Sequence, residues 1–203
     1  MFRALCIALS LSLAPALATA QGAGDARSNW HLLARATVSG SAEAQTEEEY
    51  TVYSGLALEA AVARRLGELF ALELSVRTES REVDGPAVDG TPRLGSLQVF
   101  PANLTLQWRP RAGGEAVFQP YAGAGLNLTA VWEKSGALDS TDSPANLGPV
   151  GQLGSVFRLS SGMVLSVDIK WNPLDIEIEG LADPVPKIEV DPLTLGIGLG
   201  FVF

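Results

Sequence analysis

The strictest hydrophobic pattern in the chain lies at its C-terminal end, where Leu193 to Phe203 reads L-T-L-G-I-G-L-G-F-V-F. Leu193, Leu195, Ile197, Leu199, Phe201 and Phe203 fall on one row and Thr194, Gly196, Gly198, Gly200 and Val202 on the other, a period of two that predicts a strand. A helix here would carry interior glycines at about 1 kcal/mol each relative to alanine and would scatter its large side chains round the circumference. One row is large and apolar and the other nearly bare. A strand between hydrocarbon and a narrow barrel lumen needs both rows as they stand.

The alternation recurs upstream. Trp30 to Val38 places Trp30, Leu32, Ala34, Ala36 and Val38 opposite His31, Leu33, Arg35, Thr37 and Ser39, and an acidic loop through Glu47, Glu48 and Glu49 follows. The next run, with Leu56, Leu58, Ala60 and Val62 opposite Ala57, Glu59, Ala61 and Ala63, also has high helix propensity; its alternating neighbours decide for a strand turning at Arg65 to Gly67. Phe70, Leu72, Leu74 and Val76 alternate with Ala71, Glu73, Ser75 and Arg77, and a long irregular loop is expected from Glu82 to Gly95. Further strands are expected over Val99 to Arg109, Phe118 to Trp132, Gly151 to Leu159 and Met163 to Trp171. The whole predicts an all-β fold, an eight-stranded antiparallel transmembrane up-and-down barrel.

Connection lengths orient it. Tight turns at Arg65 to Gly67, Arg111 to Gly114 and Ser160 to Gly162 separate long acidic excursions, matching short periplasmic turns and longer external loops. On this topology Trp30 and Trp108 mark the periplasmic rim, and Trp132 and Trp171 the external rim, of an outward-facing aromatic girdle.

Composition narrows the setting. Met1 to Ala20 has a basic start at Arg3, an apolar run and the small-x-small site Ala18-Thr19-Ala20, which predicts a secretory signal peptide over residues 1–20 and a barrel domain over 21–203. The one cysteine, Cys6, lies inside that segment, so no disulfide is expected. Without Arg3 the formal net charge of −9 becomes −10, which argues against nucleic acid as a partner. After Ala20 no run approaches the ~18 apolar residues of a spanning helix. The setting these features imply is the outer membrane of a Gram-negative-type bacterium.

Several stretches also resemble the OmpW family of small outer-membrane barrels. They are W-H-L-L-A-R-A-T from Trp30, F-P-A-N-L-T-L-Q-W from Phe100, P-Y-A-G-A-G-L-N from Pro120, V-D-I-K-W from Val167 and K-I-E-V-D-P-L-T-L-G-I-G-L-G-F-V-F from Lys187. The resemblance implies an eight-stranded barrel with a narrow, partly apolar lumen, suggested to pass small hydrophobic molecules, and it brings no catalytic motif. The middle loops and the second strand depart from the family's pattern.

Candidate chemistry is sparse. Arg35, Glu59, Glu73, Arg77, Gln107, Arg158, Asp168 and Lys170 lie on inward rows and are expected to pair as a lumen polar network. Past Trp171 the polarity of the last hairpin inverts. Leu174, Ile176, Ile178, Ile188 and Val190 turn inward and Asp175, Glu177, Lys187 and Glu189 outward, as a ligand vestibule standing in water would need. Phe201 and Phe203 are the expected C-terminal signal for the barrel-assembly machinery. The single histidine, His31, has no G-x-S-x-G and no second histidine for a metal site, so neither an enzyme nor a cofactor is expected. Expected partners are outer-membrane lipid, lipopolysaccharide and a small hydrophobic ligand. A sealed structural or adhesive barrel with acidic external loops is the alternative.

Overall fold

The computed structural model describes residues 30–40, 42–45, 49–53, 55–88, 91–110, 116–134, 145–160, 162–177, 187–190 and 193–203. In chain order the strands are β1 (Trp30–Ser39), β2 (Ala42–Gln45), β3 (Glu49–Tyr53), β4 (Leu56–Leu66), β5 (Phe70–Val88) and β6 (Thr91–Trp108), followed by β7 (Phe118–Lys134), β8 (Asn146–Arg158), β9 (Met163–Trp171), β10 (Leu174–Glu177), β11 (Lys187–Val190) and β12 (Leu193–Val202).

Eight of them close a barrel. β1 pairs with β4, β4 with β5, and so on through β6, β7, β8, β9 and β12, which returns to β1; every pairing is antiparallel. Closure leaves no open edge for lipid to face. Exposure alternates along the strands. In β12 Ile197 is 56% exposed, whereas Arg35, opposite Gly198 on β1, is 1% exposed. The apolar row is the outer wall and the polar row lines the bore.

The ends of the barrel differ. At one, which we call the turn end, connections are short. β4 runs to Leu66, so the first turn is Gly67 to Leu69 rather than Arg65 to Gly67, and Gly67 takes the positive φ of 83° that this reversal needs. Trp30 and Phe203 also meet here, through paired backbone hydrogen bonds of 3.0 Å.

At the other end, the hairpin end, the strands outrun their expected limits. The acidic stretch after β1 carries the β2–β3 hairpin, and β3 pairs on to β5 through Thr51 and Asp84. The expected irregular loop from Glu82 to Gly95 is instead the top of the β5–β6 hairpin, with bulges at Asp84 and a last pair Val88–Thr91. Above the bilayer both faces of a hairpin meet water, so period-two patterning is lost although the ladder persists. β8 likewise begins at Asn146, five residues before its expected start; Gly148 and Pro149 disguise it.

The wall has one interruption in its β5–β6 ladder besides those bulges. Pairing holds at Val76–Ala102 and resumes at Glu79–Val99, but lapses for Arg77 and Thr78 opposite Phe100 and Pro101. Pro101 has no N–H to give. On the outer wall beside this gap lies an apolar groove of about 500 Å³, lined by Ala34, Ala36, Leu58, Ala60, Val76 and Phe100 among others.

Candidate functional site

The bore is filled in layers. Nearest the turn end are His31, Gln107 and Arg109, and next comes an apolar cluster of Leu33, Ala61, Tyr121, Val156 and Val164. Above it lies a charged network. Arg35 gives Nη1 to Glu59 Oε1 at 2.7 Å and a two-pronged grip on Glu73 at 3.1 and 3.0 Å, with Nε on Ser166 at 3.2 Å. Its Nη1 also lies 3.6 Å from Asp168. Lys170 bonds Glu59 and reaches Ser75 at 3.0 Å, with Glu73 at 3.8 Å and Asp168 at 3.9 Å.

Neutral groups complete this layer. Gln152 donates to Glu73 at 3.0 Å and Asp168 at 2.8 Å, and its carbonyl accepts from Thr105 and Gln107. The side chains come from β1, β4, β5, β6, β8 and β9, so the network spans the bore and ties opposite walls together. Charges this far from water persist only when paired and hydrogen-bonded, as these are.

A second charged group stands toward the hairpin end. Arg77 donates to Thr194 at 2.7 Å and lies 3.2 Å from Glu79, which also pairs with Arg81 at 3.0 Å and accepts from Ser39. Arg77 therefore belongs to this group and not to the Arg35 network, while Arg158 stands at the turn end, half-buried, apart from both. Glu79 and Arg81 were absent from the expected set; carrying the β5 phase past Arg77 finds them. Asn103 and Asn127, each in a sequon-like triplet, face the bore and bond each other at 2.7 Å.

Trp30, Trp108 and Trp171 are 41%, 49% and 46% exposed, the first two at the turn end and Trp171 at the hairpin end. Arg64 lies over the Trp30 ring at 5.4 Å. Trp132 is the extra residue of a bulge opposite Gln98 and Val99, and its side chain lies outside the described residues. Phe201 is exposed on the outer wall, 56%, and Phe203 is half-buried beside Trp30. In the last hairpin Leu174 pairs with Val190 and Ile176 with Ile188, which puts these four on one face, and Asp175–Glu189 and Glu177–Lys187 on the other. Ile178 lies outside the described residues. Among the described residues no group of His, Cys, Asp or Glu side chains converges to hold a metal ion.

A closed antiparallel barrel, apolar without and polar within, is an outer-membrane β-barrel. The chain belongs to the OmpW family, whose model matches residues 31–203. Outer membrane protein AlkL of Ectopseudomonas oleovorans is 31% identical over 121 residues, 58% of this chain and 52% of that protein. The match thus spans about half the length of that relative. The crystal structure of OprG from Pseudomonas aeruginosa superposes with a TM-score of 0.72 at 22% identity, covering 87% of this chain and 97% of that one. For E. coli outer membrane protein W the TM-score is 0.59 at 16% identity, with 89% and 100% covered.

Proposed function

We propose that the barrel gives small hydrophobic molecules a passive route into the outer membrane. The observation that carries this reading is the apolar groove beside the lapsed β5–β6 pairing, together with a bore crossed by the Arg35 network. A straight path through the barrel would strip an apolar solute of its surroundings against buried charge, whereas the groove is walled mainly by Phe100, Val76, Leu58 and alanines, with Arg35, Glu59 and Arg77 also on its lining. Entry falls to the β10–β11 hairpin, where Leu174, Ile176, Ile188 and Val190 share a face and, with Ile178, form the vestibule.

The rest of the reading follows from that role. The hairpin end faces the cell exterior and lipopolysaccharide, residues 1–20 are a removed signal peptide, Phe201 and Phe203 address the assembly machinery, and no catalytic step is assigned. The filled bore also favours a second reading, a sealed structural or adhesive barrel.

Uptake into liposomes containing the folded protein separates the two. The channel reading expects a small apolar fluorophore to enter faster than in empty liposomes while a polar solute of like size does not. Entry of neither leaves the sealed barrel.

A further inference from the structure

Charges in the bore are unevenly paired along its length. Toward the hairpin end Arg77 and Arg81 share Glu79, and mid-bore Arg35 and Lys170 share Glu59, Glu73 and Asp168. At the turn end no carboxylate among the described residues ion-pairs with Arg109, although its residue is 1% exposed. Its Nε and Nη2 both turn to the carbonyl of Gln107, its face lies 5.3 Å from the Tyr121 ring, and Nη1 has no partner.

Beside it is a second unsatisfied group. The His31 ring is 3% exposed and its Nδ1 is likewise without a partner. Arg109, Arg65 and Arg158, and with opposite sign Glu73, act electrostatically on this ring. Glu73 acts on Arg109 too, but its oxygens are committed to Arg35 and Gln152. A buried guanidinium with one N–H unsatisfied, and with no carboxylate among the described residues paired to it, is unfavourable as it stands.

We propose that the turn end of the bore binds an oxyanion, a carboxylate or phosphate group, held by Arg109 Nη1 with His31 and Arg158 around it. An anion there satisfies the orphan donor and offsets the local positive charge, and a guanidinium is the side chain best shaped for it. The apolar cluster of Leu33, Tyr121, Val156 and Val164 lies on the inner side of the site, so a short carbon tail on the anion has an apolar surface to meet. The site is independent of the transport reading and is tested without it.

His31 is the sole histidine of the chain and a built-in reporter. The experiment follows its ring signals by proton–nitrogen NMR, with the full barrel folded in a nonionic detergent and sodium acetate, phosphate or hexanoate replacing chloride at constant ionic strength. Saturable shifts with the oxyanions, absent with chloride, are expected. The affinity should fall by roughly ten-fold or more in Arg109→Gln, fall less in Arg158→Gln, and stay unchanged in Arg64→Gln, on the outer wall at the same end. Tighter binding of hexanoate than acetate would identify the head group of an amphiphile, and equal binding a free small anion; both support the site. A shift that never saturates, or that persists in Arg109→Gln, overturns it. If Arg109→Gln does not fold, an unchanged affinity in Arg158→Gln overturns it instead.

Discussion

Arg35 and Gly198 face each other across the β1–β12 seam, and the stem of the arginine occupies the space where a side chain on the glycine would stand. A Cβ at 198 would run into the Ala34 carbonyl oxygen and lie 2.7 Å from both Cα and Cγ of Arg35. Tyr121 and Gly154 repeat the arrangement on β7 and β8, with a Cβ at 154 falling 2.5 Å from the tyrosine Cζ and Oη. The bare rows exist so that large polar side chains can lie along the wall and reach the centre of the bore.

Gly198→Ala should therefore destabilise the barrel by about 1–3 kcal/mol, the usual cost of overpacking. Gly162→Ala is the control, because its Cβ would meet only the Val202 carbonyl oxygen at 4.0 Å. Urea unfolding of the two variants in lipid vesicles reads the difference, and equal midpoints would contradict the close packing.

Removing Arg35 leaves Glu59, Glu73 and Asp168 with Lys170 as the remaining cation of the network. Arg35→Met is expected to cost about 3–5 kcal/mol, as breaking a buried ion pair does. Glu73→Gln in the same chain should recover part of that loss, and the double-mutant cycle should show coupling of about 1 kcal/mol or more. Additive effects would mean that the pair does not act as a unit.

The outer wall should show the depth dependence of a lipid-facing surface. Ile197, midway along β12, replaced by arginine should lose roughly 2–4 kcal/mol, whereas Leu193→Arg, level with Trp171 at the rim, should lose about 0–1. Unfolding titrations in bilayers of defined thickness give both values. Similar losses at the two depths would place the membrane boundary elsewhere.

Two substitutions address the proposed route. Ala60→Phe fills the groove from its lipid side and should slow uptake of the apolar probe several-fold, on the order of 1 kcal/mol in barrier, with the unfolding midpoint unchanged. Ile176→Asp and Ile188→Asp place charge on the shared face of the β10–β11 hairpin and should lower the rate of entry similarly. Uptake indifferent to all three would remove the groove and the vestibule from the path.

The sequence by itself determined the barrel, because lipid on one side and a narrow bore on the other impose a period of two that no helix imitates, and Leu193 to Phe203 obeys it residue by residue. It also separated inward from outward positions, so Arg35, Glu59, Glu73, Asp168 and Lys170 were legible as a set. Only the tertiary structure decided who pairs with whom. Register and barrel closure put Lys170 of β9 on Glu59 of β4, moved Arg77 into a separate group with Glu79 and Arg81, and left Arg109 without an acid among the described residues. The long hairpins and the gap at Pro101 were hidden for a related reason. Backbone pairing above the membrane, and its failure opposite a proline, depend on the neighbouring strand, and a single strand's pattern carries no record of its neighbour.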